Sequence, residues 1–345
     1  MSRTEAERIS DVRQVLEAAR TLVRERAELA AEIARTTGLS PEGVELAMTE
    51  HLETTATDAE LASLVARAGD APRVHVILSA NVFIAALRAI AIARAASRFV
   101  TVRPSRREPV FARALVGALG CTEITLAENV APMEVTGGEI HVYGRDETIA
   151  RVRAAARPGV VVRGHGAGMG IAWIGPGWPV SEAARALASD VVPFDQRGCL
   201  SPRVALVLGD EARAEAFAEA LHDVLGAWET KVPRGELSRE EAETAARYSE
   251  TMTFAGKVFE APGHIVALAH EGSVLAVPPP GRHVHVARVS DARSVASRIA
   301  PLSRAIVAVG ASDPTEARAF APAHARVSVL GQMQRPPLDG PVDNR

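Results

Sequence analysis

The sequence has only two cysteines and almost no excess of either charge. With Cys121 and Cys199 as its only thiols, a chain of 345 residues cannot build a disulfide framework or a cysteine-rich zinc site. Lysine and arginine number 39 against 42 acidic residues, so the basic surface typical of nucleic-acid-binding proteins is not expected. We therefore expect free thiols in a reducing compartment, a small substrate and no nucleic-acid partner.

Long apolar runs and clustered histidines are also missing. No stretch approaches the roughly 18 apolar residues of a membrane span, and residues 1–35 are too densely charged for a secretory signal. The ten histidines are scattered, and no pair has the spacing that places two ligands on one helix face. These absences predict a cytoplasmic protein with no membrane span and no metal.

Helical and strand-like segments alternate along most of the chain. Residues 1–70 place apolar side chains such as Val15 and Leu22 at helical spacing, which predicts an N-terminal helical segment. After it, short β-branched runs alternate with amphipathic stretches, as parallel strands with helical crossovers do. A glycine- and proline-rich passage at 164–179 interrupts this rhythm and indicates a domain boundary. The runs that we interpret as strands lie at 74–78, 99–102, 140–143, 160–162, 204–208, 264–269, 283–289 and 305–309.

Cys199 lies in a loop that could present a reactive thiol. Prolines close this loop, Gly198 precedes the sulfur, and a strand-like run follows. Attack on a carbonyl needs the thiolate, and a nearby cation such as Arg197, or backbone N–H groups, would lower the thiol pKa. The alternative is a small buried hydrophobic residue, which is what most single cysteines are. Cys121, after an apolar helix at 110–119, is expected to be buried.

Four short motifs occur in the order in which one known enzyme family has them. The motifs are Ser-Ala-Asn-Val at 79–82, Val-Arg-Pro-Ser at 102–105, Phe-Asp-Gln at 194–196 with Cys199 and Ser-Pro-Arg at 201–203, and Leu-Gly-Gln-Met-Gln-Arg-Pro-Pro-Leu-Asp at 330–339. Each is weak alone, but together they resemble the LuxC-type acyl-CoA reductases of the aldehyde dehydrogenase superfamily. The resemblance runs from about residue 74 to residue 339.

The resemblance implies a fold and a division of the chain. The expected fold class is α/β and aldehyde dehydrogenase-like, with two Rossmann-like α/β domains and an N-terminal helical segment. The helical segment would span residues 1–70, a nicotinamide cofactor-binding domain 71–178, a catalytic domain with the cysteine nucleophile 179–325, and a C-terminal segment 326–345.

The resemblance also assigns roles around Cys199, which would be the nucleophile. Asn81 would donate a hydrogen bond to the oxyanion that forms when the thiolate attacks a carbonyl. An alternative for Asn81 is the N-cap of a helix starting at Val82, and both roles could coexist. His165 stands where hydrolytic aldehyde dehydrogenases carry a water-activating glutamate, so the acyl-enzyme should hydrolyse poorly. His165 could still act as a base, or could be incidental to a glycine-rich turn.

The implied cofactor is NADPH, with NADH as the other candidate. Arg103, Pro104 and Ser105 would contact the adenosine ribose, and an arginine in a position where the family commonly has lysine favours a 2′-phosphate. The alternative is that these residues belong to a solvated basic loop without a role in cofactor binding. Gly144 and Gly166 would allow the cofactor to approach the backbone.

The predicted reaction is reduction of an acyl thioester, from CoA or a carrier, to an aldehyde through an acyl-cysteine intermediate. An acyl-activating partner enzyme and a homo-oligomeric assembly are also expected from the resemblance. Two alternatives stay open: NAD(P)-dependent oxidation of an aldehyde, and a catalytically silent binding or scaffold protein that keeps the fold.

Overall fold

A computed structural model of the chain describes residues 3–343 and 345. The helices are α1 Glu5–Arg24, α2 Arg26–Thr37, α3 Pro41–Leu46, α4 Asp58–Ala68, α5 Ala85–Ala96, α6 Val110–Leu119, α7 Asp146–Ala155, α8 Val180–Val191, α9 Glu211–Lys231, α10 Arg239–Ala255, α11 Val295–Ile299 and α12 Pro314–Arg318. The strands are β1 Val74–Ile77, β2 Val100–Arg103, β3 Ile124–Leu126, β4 Glu139–Tyr143, β5 Val161–His165, β6 Met169–Ile174, β7 Pro202–Leu208, β8 Gly256–Ala261, β9 His264–Ala269, β10 His283–Val289, β11 Ile306–Ala311 and β12 Arg326–Val329.

The first sheet has the order β3-β2-β1-β4-β5, and all its strands are parallel. The chain builds outward from β1 in one direction through β2 and β3, then returns to the other side of β1 for β4. The strand order therefore reverses between β1 and β4, and open α/β sheets bind ligands at the carboxyl ends of the strands at such a point.

The second sheet has the order β12-β11-β6-β7-β10-β9-β8, and only β8 pairs antiparallel. Most residues of its central strands are apolar, because helices and loops cover both faces. In β6 and β9 every residue is buried. Helices α8 and α9 pack on one face, where Leu187, Phe217 and Leu221 contribute to a continuous apolar core.

The chain passes from the first sheet to the second between His165 and Met169, earlier than the boundary expected at 178. The sequence signal for strand β6 is weak, since Gly170 and the preceding Gly168 lower the apparent β-propensity of this passage. Gly170 is needed there because a Cβ would overlap the carbonyl oxygen of Leu200, and its N–H donates to the carbonyl of Ser201 at 2.9 Å. β6 thus lies directly against the Cys199 loop.

The ends of the chain are packed onto these two sheets. Helices α1 and α4 share an apolar core with α5 and the first sheet. β12, which begins the predicted C-terminal segment, extends the second sheet. After β12, the N–H groups of Gly331 and Met333 donate to the carboxylate of Asp190 on α8. The carbonyls of Pro336 and Gly340 accept hydrogen bonds from Arg88 on α5. The C-terminal segment therefore ties the two sheets together beside the Cys199 loop.

The described part of the chain contains neither a membrane-spanning helix nor a cluster of metal-binding side chains. No helix among residues 3–343 and 345 is long and apolar enough to cross a membrane. Within the same residues, no three His, Cys, Asp or Glu side chains are grouped so that they could hold a metal ion.

Candidate active site

A cavity of about 240 Å³ lies between the two sheets, at the carboxyl ends of β1 and β4. Five of the eight predicted site residues line it: Asn81, Gly144, His165, Gly166 and Cys199. They come from four separate loops or strand ends. The fold thus brings together residues that are far apart in the sequence, up to the 118 positions between Asn81 and Cys199 (199 − 81).

The other three predicted residues follow the neighbouring strand and do not line this cavity. Arg103 ends β2, and its carbonyl accepts a hydrogen bond from the N–H of Leu78 at 3.0 Å. Ser105 is buried, and its Oγ accepts from the N–H of Arg107 at 3.2 Å. Arg103, Pro104 and Ser105 therefore lie along the same edge of the sheet, one strand away from the cavity.

The Cys199 turn is held tightly against the turn that carries Asn81. The N–H of Ser201 donates to the carbonyl of Gly198 at 3.1 Å, which closes the turn around the cysteine. A Cβ at Gly198 would lie 3.2 Å from Ser201 Oγ and 3.4 Å from Val82 Cγ2. A larger residue at 198 would push these two turns apart, so glycine permits the approach of Cys199 to Asn81.

Three consecutive non-glycine residues before the Cys199 turn have left-handed backbone conformations. The φ angles are 57° at Phe194, 50° at Asp195 and 63° at Gln196. Each such residue costs on the order of 1 kcal/mol or more and persists only where the surroundings impose it. Gln196 is fixed by bonds to the backbone of β10: its side-chain nitrogen donates to the carbonyl of His283 and its oxygen accepts from the N–H of His283, both at 2.8 Å.

Asp195 is held by a buried arginine. Arg282 Nη2 lies 2.8 Å from Asp195 Oδ1, and both side chains are at most 2% exposed. The second carboxylate oxygen accepts from the N–H of Gly235 at 3.0 Å. Arg282 also donates to the carbonyl of Val232 at 2.7 Å. This ion pair anchors the strained run that leads into Cys199.

We expect Arg282→Met to destabilise the fold by about 3–5 kcal/mol, because it leaves the Asp195 carboxylate buried without its counter-charge. Urea denaturation followed by circular dichroism measures the change. The double variant Asp195→Asn with Arg282→Met is the control, and it should recover part of the loss. Equal stability of the wild type and the single variant would show that the pair does not hold the loop.

Burial dominates the electrostatics of Cys199 and raises the pKa of its thiol to about 11. The carboxylate of Asp343 adds to this effect, while the cysteine's own N–H, Arg345 and Arg88 oppose it. The expectation that Arg197 lowers this pKa is wrong, because its guanidinium points away, donating to the carbonyl of Thr37 at 3.2 Å. The resting enzyme therefore holds a protonated thiol at neutral pH.

This raised pKa predicts how alkylation depends on pH. Below a pKa of about 11 the thiolate fraction grows about tenfold with each pH unit. The rate of Cys199 alkylation by iodoacetamide should therefore also rise about tenfold with each pH unit between pH 7 and pH 10. Peptide mass spectrometry gives the rate. Cys121, half-buried in the structure where burial was expected, is the internal control. A plateau near pH 8 would show that the thiol is activated in the resting enzyme.

Asn81 does not cap the helix that follows it. Helix α5 begins only at Ala85, its N-cap is Ile84, and no side chain bonds to its first N–H groups. The N-cap alternative is therefore wrong. The Asn81 side chain is exposed to the cavity instead, where its amide can donate to a ligand.

His165 is the last residue of β5 and not part of a turn. Its ring stacks on Tyr143 with the centroids 4.4 Å apart. Burial lowers its pKa to about 4, so the imidazole is neutral at pH 7. In the described part of the chain its Nε2 has no hydrogen-bond partner. A neutral imidazole with one unused nitrogen can accept a proton in the cavity.

Five charged residues that line the cavity had no predicted role: Glu53, Arg88, Arg145, Arg203 and Asp343. Arg88 had a detectable signal, since it is one of two charges, with Arg94, in the otherwise apolar helix α5. It pairs with Glu53 at 2.7 Å. The positions of Arg203 and Asp343 depend on packing between distant segments, which no local pattern reports.

The fold is that of the aldehyde dehydrogenase superfamily, as solved structures show. The chain is similar to an oxidoreductase from Marinobacter aquaeolei (TM-score 0.76, 12% identity, covering 98% of this chain and 80% of that one). It is also similar to a NAD-dependent benzaldehyde dehydrogenase from Corynebacterium glutamicum (TM-score 0.68, 17%, 96% and 84%). A third is an NADP-dependent glyceraldehyde-3-phosphate dehydrogenase from Bacillus halodurans C-125 complexed with NADP (TM-score 0.68, 12%, 95% and 79%).

The sequence model of the LuxC acyl-CoA reductases matches residues 44–337. The chain therefore belongs to the LuxC acyl-CoA reductase family. No curated protein matches the chain. The predicted family and fold class are confirmed, and family and fold together support an oxidoreductase acting on acyl groups or aldehydes.

Proposed function

We propose that the protein reduces an acyl thioester to an aldehyde through an acyl intermediate on Cys199, with NADPH or NADH as reductant. The observation that carries the proposal is the meeting of Cys199 and Asn81 in one cavity, at the point where the strand order of the first sheet reverses. A nucleophile and an oxyanion donor are the two groups that acyl transfer requires.

The residues around the cavity fit a nicotinamide dinucleotide. Helix α7 begins beside Gly144, and no side chain bonds to its first N–H groups, but Asp146 and Glu147 make its first turn acidic. Arg145, its N-cap, lines the cavity and would supply the positive charge for a phosphate. Gly166 is tightly packed, since a Cβ there would overlap the carboxylate of Asp146, and its backbone lines the cavity. Gly144, Arg145 and Gly166 would hold the dinucleotide. When bound, it would supply a hydride to the carbonyl carbon.

The side chains of the cavity account for the remaining steps. His165 would take the thiol proton as Cys199 Sγ forms a bond to the acyl carbon, and Asn81 would stabilise the oxyanion. Expulsion of the donor thiolate, which recovers that proton from His165, leaves the acyl group on Cys199 as a thioester. Hydride addition to the thioester carbon leaves a tetrahedral oxyanion that Asn81 would stabilise. Its carbon–sulfur bond then breaks to release the aldehyde, and the Cys199 thiolate takes up a proton from solvent.

Aldehyde oxidation is the second candidate, because two carboxylates line the cavity and a carboxylate could activate water. Both are engaged by arginine: Glu53 with Arg88 at 2.7 Å and Asp343 with Arg345 at 2.5 Å. Burial opposes ionisation of Asp343, but the hydrogen bonds from Arg345 outweigh it and lower its pKa overall. A carboxylate held in this way is a weak base, which favours reduction over hydrolysis.

Product analysis tests the proposed function. The protein is incubated with a panel of acyl-CoA thioesters and NADPH or NADH, and the aldehyde, the free acid and the oxidised cofactor are quantified. We expect aldehyde and oxidised cofactor in equal amounts and little free acid. Oxidation of added aldehydes with NAD(P)+ to free acid, without reduction of any thioester, would establish the second candidate. Binding of cofactor without either reaction would establish the silent scaffold.

Arg103 gives a test of which nucleotide is used. Its guanidinium is half-buried at the edge of the first sheet, where burial and the nearby Arg106 lower its pKa. If it meets a 2′-phosphate, Arg103→Ala should weaken NADPH binding about 10- to 100-fold and NADH binding much less, since a charged hydrogen bond contributes about 1.5–3 kcal/mol. Titration calorimetry measures both affinities, with Arg113→Ala on α6 as the control. Equal losses for the two nucleotides would remove this role.

An acyl-activating partner enzyme and a homo-oligomer belong to the proposal as well. The apolar walls of the cavity, among them Ile84, Ile92 and Leu200, suit an apolar acyl chain that such a partner could deliver.

A further inference from the structure

Arg203 is a partly buried cation that has no counter-charge among the described residues. Four arginines in the described residues have a buried Nε that bonds to nothing: Arg203, Arg288, Arg298 and Arg326. The other three use their terminal nitrogens on acceptors, among them Glu271, the carbonyl of Ser273 and Asp339. Arg203 has no such contact, and burial alone acts on its pKa, which it lowers. An unpaired charge at such a place is costly unless a ligand neutralises it.

Arg203 also stands between two cavities. It lines the cavity of Cys199, and it lines a second one of about 370 Å³ that opens to solvent. The second cavity lies between α10 and the Pro278-Pro279 turn. A ligand bound in the second cavity could thus extend past Arg203 towards the thiol of Cys199.

The second cavity is lined by donors of the kind that bind phosphate. Thr244, Arg247 and Thr251 lie on one face of α10, at positions i, i+3 and i+7, and all three line the cavity. Arg247 donates to Thr244 Oγ1 at 2.9 Å and makes no ion pair in the described structure. No carboxylate lines this cavity. The hydroxyls of Thr244 and Thr251 donate to the carbonyls of Glu240 and Arg247 within α10. The donors left for a ligand are therefore the guanidinium groups of Arg203 and Arg247, and two such groups without an acid beside them form a site for a phosphate.

We propose that Arg203 and Arg247 bind a phosphate of the acyl donor, the group that CoA and a phosphopantetheine-bearing carrier share. This inference rests on the proposed function. The nucleotide is a less suitable occupant, because all residues of the second cavity come from the second α/β region, whereas the proposed nucleotide contacts come from the first sheet. The donor's thioester must reach Cys199, and Arg203 borders both spaces.

Binding to the intact protein gives the first test. Titration calorimetry compares CoA, 4′-phosphopantetheine and pantetheine on the wild type, on Arg203→Met and on Arg247→Met. Arg239→Met is the control, since that arginine is also on α10, its side chain is 93% exposed and it pairs with Glu243. Arg203→Met should fold at least as stably as the wild type, because it removes an unpaired charge. Thermal denaturation checks this.

We expect Arg203→Met to weaken CoA binding about 10- to 100-fold and pantetheine binding less than threefold. An equal loss for 4′-phosphopantetheine supports the phosphate common to CoA and carriers. A loss confined to CoA would overturn this assignment, because it would place Arg203 at the nucleotide end of CoA. Equal effects on all three compounds, or no effect on any, would overturn the proposal. Kinetics with the acyl thioesters of CoA, 4′-phosphopantetheine and pantetheine separate the phosphate site from the proposed function. If the wild type binds CoA through Arg203 but reduces none of these thioesters, the proposed function fails and the phosphate site stands.

Discussion

Replacement of Cys199 by serine is expected to lower the rate of acyl thioester reduction at least about a thousandfold. Serine keeps the volume but removes the sulfur, and a hydroxyl without a strong base is a far weaker nucleophile than a thiolate. The initial rate of NADPH oxidation with the preferred acyl-CoA measures the loss. The binding of CoA and NADPH should change little, because the substitution leaves the cavity intact.

Cys121→Ser is the matched control, since Cys121 does not line the cavity and is the only other cysteine. Its rate should equal that of the wild type. If Cys199→Ser keeps more than about a tenth of the activity, hydride transfer does not need a covalent intermediate and the proposed mechanism fails.

Replacement of Asn81 by alanine should reduce kcat by about a hundred- to a thousandfold with a smaller change in KM. The side-chain amide is proposed to bind the oxygen more strongly when it carries charge than in the ground state, and loss of one oxyanion donor typically has this effect. Because Asn81 caps no helix, its removal should leave the thermal stability unchanged.

Asn129→Ala, at an exposed position outside the cavity, controls for a general effect of losing an asparagine. A loss at Asn81 that appears in KM alone would assign it to binding of the ground state. A fall in thermal stability of several degrees would assign it to structure.

Most of the fold could be predicted from local pattern. The β-branched runs at 74–78 and 140–143 carry their own signal, and strands β1 and β4 occupy them to within one residue. β6 was missed because a strand buried on both faces has no alternation, and Gly170 interrupts its apolar run. β8 and β12 were missed because they are edge strands with mixed, half-exposed residues.

The candidate site could be predicted where a motif carried it. Cys199 and Asn81 came from colinear motifs, and His165 came from its position where hydrolytic aldehyde dehydrogenases carry a glutamate. The structure places all three in one cavity. The thiol pKa could not be predicted, because it depends on burial and on Asp343, which is 144 positions further along the chain (343 − 199). Arg197 shows the converse, since a neighbour in sequence turned out to point elsewhere.

The raised thiol pKa has a consequence for turnover. At pH 7 a thiol with a pKa of about 11 is almost wholly protonated, so acylation requires that a base remove its proton. His165 is neutral and can accept this proton, but its pKa of about 4 makes it a weak base. Displacement of Asp343 by a ligand would help, because it would remove one of the groups that raise the thiol pKa. The acylation rate should therefore rise with pH from 7 to 9, and the loss of His165 should reduce it most at the lower end of this range.

The central claim is a covalent acyl group on Cys199 that waits for hydride, and one rapid-quench experiment tests it most directly. The protein is mixed with acyl-CoA without cofactor, quenched at intervals and analysed by intact and peptide mass spectrometry. The account predicts that the acyl adduct forms on Cys199, persists because no free carboxylate activates water, and disappears as aldehyde when NADPH or NADH is added. An adduct that never forms, or that hydrolyses to free acid as fast as it appears, would contradict the account.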